Sequence, residues 1–341
     1  MKKNRSAPKD VQAIGIDVSK AELYIALSKN NRSVSIIRIK NSENSIKKFI
    51  TDYLQSYLNK IIMESTGDYH LLAAVLLFEA GLDIRVINPL MSAKYAQGNI
   101  RKTKTDKADA KLLAKIALVE NDLPPKFSMT RAEVNYRKKM KLLDTLSKHM
   151  TSLKVALNSY QTTIGQLQVN LSPAEIEFQQ TIKLLKKQKE HLLKELETSA
   201  VENKAGKKLD QTLLAEIPGV ANHTAAAVMS IMADGPATTA KQWIAYTGLD
   251  ISVRESGQWK GRCKLTKRGN STLRSWIFSS AWGAVMTNEK FRAYYGHLKN
   301  QGRHHFECLL IVARKLLRIM FNLLKTKNHF NPELPLFELP V

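Results

Sequence analysis

The chain of 341 residues is long enough for two or three domains, each with its own core. Its 53 Lys and Arg against 30 Asp and Glu leave a formal charge of +23, an excess that suggests a polyanionic partner, nucleic acid being the commonest. Cys263 and Cys308 form no zinc pattern and suggest no disulfide framework, which excludes a cysteine-stapled scaffold. The N-terminal MKKNRSAPKD lacks the apolar stretch of a signal peptide. The most apolar late stretch, residues 306–324, is interrupted by Arg314, Lys315 and Arg318, too charged to span a bilayer comfortably. A soluble, cytoplasmic and nucleoid-associated protein is the expectation.

After a basic tail to residue 12, residues 13–18 (AIGIDV) set Ile14, Ile16 and Val18 on one face and Gly15 and Asp17 on the other. That alternation predicts a strand with a carboxylate planted in its middle. Residues 23–27 and 34–39 read as two more strands after short polar turns, an antiparallel meander. A helix over 45–58 follows, with Ile46, Phe49, Ile50, Tyr53 and Leu54 on one side. Residues 60–63 form a short apolar strand ending at Glu64, before a Ser-Thr-Gly turn. Residues 70–80 are helical, 84–87 a strand, and Asn88-Pro89 breaks it. Next comes a helix with Thr105 as its N-cap, reading TDKADAKLLAKIA. Three strands followed by alternating helix and strand give a mixed α/β sheet with helices against its faces.

On that helix Asp106 and Asp109 stand three apart, one above the other. Asp109 shares the spacing of Leu112, Leu113 and Ile116, where an unpaired carboxylate is costly, although acids in a first helical turn also complement the helix dipole. Lys102, Lys104, Lys107 and Lys111 ring the pair. With Asp17 and Glu64, the carboxylates suggest a set of hard oxygen ligands suited to Mg²⁺ (or Mn²⁺), the lysines being left for phosphates.

The order of strand Asp, strand-end Glu and Asp-x-x-Asp on a helix resembles the RNase H-like (RuvC-like) nucleases of the Holliday-junction-resolvase type. The wording GIDVSK, ESTGDY and KTDKADAKLLA is similar to one group in particular. These are the insertion-sequence transposases with an Asp-Glu-Asp-Asp set, relatives of the Piv-type DNA invertases and known as bridge-RNA-guided recombinases. The resemblance covers residues 13–118 and returns after 213. It implies catalytic and metal-binding roles for Asp17, Glu64, Asp106 and Asp109, with DNA and a guide RNA as partners.

From Leu143 apolar or aromatic residues recur at Leu146, Met150, Leu153, Leu157, Tyr160, Ile164 and Leu167, a heptad seam. Ser172-Pro173-Ala174-Glu175 reads as a capping box. A second seam runs through Phe178, Ile182, Leu185, Leu192 and Leu196, with Lys189 its polar exception. An αα-hairpin is expected, and an exposed seam would favour a homodimer or homotetramer. Beyond a polar linker at 200–208, residues 213–229 read as helix, Pro-Gly turn, helix. This resembles a helix-hairpin-helix, whose backbone N–H groups suit a phosphate.

Residues 241–247 are helical and 248–257 extended, ahead of a basic band of Trp259, Lys260, Arg262, Lys264, Lys267, Arg268 and Arg274. Such a band gives phosphate affinity without sequence preference. Ser256 before Gly257 is by composition a turn residue, with no His–Asp relay nearby. The pattern Gly248-Leu249, Ser256-Gly257, Thr266 to Asn270 and Leu273-Arg274 resembles the second signature of the same transposases, in which the matching serine attacks DNA. Asp250 stands where that signature often has proline, and Ser271 reads as a helix start.

The expected organisation is a basic tail (1–12), a RuvC-like catalytic domain (13–125), a helical hairpin (126–207), a mainly α serine-containing domain (208–328) and a tail (329–341). The function implied is a DNA transposase or recombinase of an insertion element that cuts and rejoins strands. A junction nuclease hydrolysing without Ser256 and a non-catalytic DNA-binding protein are the alternatives. A sugar-kinase-like or actin-like ATPase would need a second Gly-rich phosphate loop, and none is seen.

Overall fold

The computed structural model describes residues 11–29, 33–54, 60–97, 105–168, 173–202, 208–232, 238–252, 255–256, 259–260 and 264–333. The chain divides into two compact units at residue 134.

The first unit opens with β1 (Val11–Val18), β2 (Glu22–Lys29) and β3 (Ser33–Lys40), paired antiparallel as a meander. After α1 (Glu43–Tyr53), strand β4 (Ile61–Glu64) joins β1 in parallel; after α2 (His70–Glu79), β5 (Ile84–Ile87) joins β4 in parallel. The sheet order is β3-β2-β1-β4-β5. The alternation seen in the sequence sorts the two faces. Ile14, Ile16, Leu23, Ile25 and Met63 pack with Ile46 and Phe49 of α1 and Ala73 and Leu77 of α2. The opposite face carries α4 (Asp106–Val119), whose Ala110, Leu113, Ala114 and Ile116 meet Ala13, Ala26 and Ile62.

At Gly15 that contact is backbone to backbone. A Cβ there would lie 2.2 Å from both the Ala110 carbonyl oxygen and the Ala114 nitrogen. Thr105 caps α4 as expected, its side chain accepting from the Ala108 N–H.

Two elements differ from expectation. β1 begins at Val11, which is buried, so the ordered strand takes in two residues assigned to the tail. Asn88-Pro89 does not merely break a strand but starts a helix, α3 (Pro89–Gln97). Proline suits a first helical position because its missing N–H has no helical partner there, and Asn88 Oδ1 accepts from the Leu90 N–H at 2.8 Å. Residues 55–58 of the expected first helix lie outside the described residues.

The second unit is mainly helical. Two long helices, α5 (Arg131–Gln166, its first turn in the first unit) and α6 (Pro173–Glu202), precede α7 (Lys208–Ala215), α8 (Asn222–Met232) and α9 (Ala240–Thr247). Then come two short ladders, β6 (Ile251–Ser252) with β9 (Lys264–Leu265) and β7 (Glu255–Ser256) with β8 (Trp259–Lys260), both antiparallel. Helices α10 (Ser271–Thr287), α11 (Glu289–Asn300) and α12 (His305–Thr326) complete the unit. The apolar face of α12, Leu309, Ala313, Leu317 and Met320, is buried in a core shared with Trp243, Ile277, Phe291 and, from α5 and α6, Tyr136, Met140, Leu143 and Leu196.

Lys139 Nζ and Glu195 pair at 2.6 Å across α5 and α6. Farther out Met150 and Ile182 stay buried, whereas Tyr160, Leu167 and Phe178 are exposed, so the seam closes near the core and opens toward its far end. Pro173 is the first residue of α6 as expected; its expected cap, Ser172, lies outside the described residues. Between α7 and α8, Gly219 at φ +79° lies so close to α10 that a Cβ would sit 2.1 Å from the Ala284 nitrogen.

The Gly15 contact has a measurable cost. Gly15→Ala should force α4 off β1 and destabilise the protein by about 3 kcal/mol or more, the upper range for overpacking, because backbone rather than a side chain must move. A urea midpoint unchanged from wild type would show that α4 does not lie against β1.

Candidate active site

The four expected carboxylates come from three elements of the first unit. Asp17 lies on the α4 face of β1, two residues beyond Gly15. In the parallel register Ile16 pairs with Met63, so the next positions are Asp17 and Glu64, both at strand ends. Asp106 and Asp109 occupy the first turn of α4, Asp106 exposed and Asp109 half-buried, as its apolar spacing requires.

These groups act on one another. The Asp17 carboxyl is pushed up to about 6, first by burial, then by the charges of Asp106 and Asp109, and least by Glu64, against one lowering hydrogen bond from the Val18 N–H. Like charges within reach of a half-buried acid oppose its ionisation, and a cation among them would relieve that opposition. Four carboxylate donors fit a hard divalent ion. As their side chains stand, no three His, Cys, Asp or Glu groups among the described residues close on one metal position. The carboxylates share a field without yet sharing a ligand geometry.

Two neighbours escaped the sequence reading. Ser92 of α3 is buried, its Oγ 2.5 Å from Glu64 Oε2 and 3.0 Å from the Pro89 carbonyl oxygen. Its one proton goes to the nearer, charged acceptor, which holds the Glu64 side chain. Missing α3 hid it. Arg38 of β3 grips Glu22 through one guanidinium edge, Nη2 and Nε donating to the two carboxylate oxygens at 2.6 and 2.7 Å, and the charge of Asp106 reaches it. It places a cation at the edge of the acidic set.

Ser256 belongs to the second unit. Its backbone pairs with Trp259 in the β7–β8 ladder, on a β excursion between α9 and α10. The root of that excursion is held on several sides. Gly248 caps α9 in the left-handed conformation. Asp250 accepts the Thr266 N–H at 3.0 Å through its carbonyl and the Thr266 hydroxyl through its carboxylate. So the residue standing in place of proline ties the two edges together. Asn270 caps α10, and Ser271 is that helix's first residue.

Among the expected nucleic-acid contacts, Lys107, Lys264, Lys267 and Arg268 are exposed. Arg274 is half-buried, and its Nη1 donates to the Thr247 carbonyl at 2.9 Å and the Lys267 carbonyl at 3.4 Å, bracing the root. Lys260 lies in β8; Lys102, Lys104 and Arg262 lie outside the described residues.

The raised Asp17 carboxyl carries a sign that can be checked. A folded-state value of about 6 against 3.8 means that folding takes up a proton between those values. In metal-free protein stability should therefore be full below about pH 4, fall as pH rises to 6, and stay low above it. Two units correspond to about 3 kcal/mol, and solvent screening at a half-buried site leaves ~1–2. Asp17→Asn should stabilise the metal-free protein at pH 7 by that amount, and a thermal midpoint lowered by this change would contradict the crowding of carboxylates.

Among the described residues no helix is long and apolar enough to cross a membrane. The family model of the DEDD-type IS110 transposases matches residues 14–166, and that of the IS116/IS110/IS902 transposase family matches 211–296. The chain is 24% identical over 339 residues to the pilin gene-inverting protein of Moraxella lacunata, covering 93% of this chain and 97% of that one. It is 27% identical over 124 residues to the insertion element IS110 43.6 kDa protein of Streptomyces coelicolor, 36% of this chain and 31% of that one. The insertion element IS116 44.8 kDa protein of Streptomyces clavuligerus matches at the same identity and coverage. Thus the chain spans under a third of these insertion-element relatives but nearly all of the gene-inverting one. With both signature regions matched in order, the chain belongs to the IS110-type transposases, a family of insertion-sequence recombinases.

Proposed function

We propose that the protein cuts and rejoins DNA strands of an insertion element, using the acidic set of an RNase H-like (RuvC-like) unit and Ser256 of the second unit. The observation that carries this is the mutual effect of Asp17, Glu64, Asp106 and Asp109, brought from β1, β4 and α4 into one electrostatic neighbourhood. The antiparallel meander continued by parallel strands, with α4 over the Asp17 face, supports the RNase H-like reading. When bound among these carboxylates, Mg²⁺ or Mn²⁺ supplies charge neutralisation at the scissile phosphate.

In the proposed step Ser256 Oγ attacks phosphorus and forms a phosphoserine ester. The bond from phosphorus to one sugar oxygen breaks, and the serine proton passes by way of a carboxylate of the acidic set to that oxygen, so the sugar leaves as a hydroxyl. Rejoining is the reverse attack by a second strand's hydroxyl, so one phosphodiester is conserved throughout and no energy source is needed. A serine hydroxyl is a weak nucleophile without a base or metal, which is why the acidic set must act with it. Exposed Lys107, Lys264, Lys267 and Arg268 supply phosphate contacts, and the net charge of +23 suits DNA ends and target together with a guide RNA. The exposed Tyr160, Leu167 and Phe178 at the open end of the seam support a homodimer or homotetramer.

One assay series tests the chemistry. With element-end DNA and Mg²⁺, Asp17→Ala, Glu64→Ala, Asp106→Ala and Asp109→Ala should each lower cleavage by more than ~100-fold, beyond the usual loss for outer-shell partners. Ser256→Ala should still bind DNA and metal but join nothing. Wild type should yield a protein–DNA adduct that survives denaturant. Full activity in EDTA would remove the metal. Cleavage by Ser256→Ala, with no adduct from wild type, would leave a junction-type nuclease hydrolysing with water.

A further inference from the structure

Within the second unit a cavity of about 700 Å³ opens between α5, α6, the α7–α8 turn and α10. We propose that it seats the phosphodiester backbone of a nucleic-acid strand, with Lys189 as its cation. The proposal rests on the nucleic-acid reading above but on none of the residues assigned there.

The lining is rich in hydroxyls: Ser147 and Thr151 of α5, Ser275 and Ser279 of α10. Its one carboxylate, Asp144, is already paired with Lys148 Nζ at 2.6 Å. Lys189 also lines the cavity and has no ion pair among the described residues, so the lining carries one uncompensated positive charge. Sequence spacing places Lys189 on the apolar seam of α6, where a lysine disturbs helix packing. Facing a cavity that receives a phosphate gives it a reason to be there.

The α7–α8 turn adds backbone donors. Gly219 and Ala221 line the cavity, followed by His223 and Thr224 in the first turn of α8; the Thr224 N–H donates to the Ala221 carbonyl at 2.9 Å, which leaves the His223 N–H as a donor of that turn without a helical acceptor. Thr224 and Ser280, only 1% and 4% exposed, also line the cavity and add two more hydroxyl side chains to its wall. Hydroxyls, a helix N-terminus and a lysine are the groups that hold a sugar-phosphate strand without reading its bases. His223, held below the usual imidazole range by burial and by Lys189, meets Trp276 edge to face with centroids 4.8 Å apart.

Fluorescence anisotropy with labelled single-stranded DNA, RNA of the same sequence, and duplex DNA tests this. Lys189→Leu completes the apolar seam, so it should fold with an unchanged or higher melting temperature. It should bind at least one probe about tenfold more weakly, with the slope of log K against log salt reduced by about one. Lys189→Arg should retain binding, and Ser279→Trp, filling the cavity from an exposed position, should weaken it. The probe that loses affinity identifies the strand. If Lys189→Leu binds every probe as wild type does, the proposal is overturned while the recombinase reading stands. If wild type binds none of them, both fall.

Discussion

The site depends on the absence of one carbon atom. Because Gly15 has no Cβ, α4 lies directly on β1, with the Ala110 carbonyl and the Ala114 amide where a side chain would otherwise stand. The neighbouring small residues Ala13, Ala26, Ala110 and Ala114 extend that close approach along both elements. Two residues beyond Gly15 on the same face is Asp17, and one turn before Ala110 is Asp106. A contact that serves packing at its centre therefore serves electrostatics at its edge. It buries Asp17 and brings other carboxylates near it, and burial first, with their charges second, lifts the Asp17 carboxyl to about 6. A bulkier residue at position 15 would relax the crowding by moving the helix, so core and site cannot vary independently.

The sheet shows how one strand meets two demands. The face of Ile14, Ile16 and Val18 supplies apolar burial with α1 and α2, and this burial is what offsets a half-buried acid on the reverse face. Parallel pairing of β1 with β4 then places Glu64 level with Asp17, as an antiparallel partner running the other way would not. Ser92 fixes Glu64 from a third side. The order of elements in the chain, meander first and parallel strands after, sets which strand ends meet.

Much of this was legible because it rests on local periodicity. Period-two alternation in residues 13–18 identified the strand and the face of Asp17, and the spacing of Asp109 with Leu113 and Ile116 placed it on the buried side of α4. The misses have physical causes too. α3 went unseen because proline both ends strands and begins helices, and only the Asn88 bond to the Leu90 N–H separates the two cases. Ser92 was hidden with it. The ladders around Ser256 span two residues each, too short for any period to show, and the role of Gly15 depends on a helix about 95 residues away. Lys189 was noticed as an exception in its seam, but only the fold reveals the cavity beside it.

The support of Ser256 follows from that shortness. A two-residue antiparallel ladder buries little and has little stability of its own. What holds the excursion is its root: the left-handed Gly248 cap, the double bond between Asp250 and Thr266, Arg274 spanning the carbonyls of Thr247 and Lys267, and the Asn270 cap of α10. Position 269 tightens the same root, since a Cβ on Gly269 would lie 2.1 Å from the Tyr246 carbonyl oxygen. The direction in which the segment leaves α9 and returns to α10 is thus over-determined by main-chain and side-chain contacts at its root. Aim is set by α9 and α10, and Arg274, read from sequence as a phosphate ligand, has its Nη1 donors turned inward to that task.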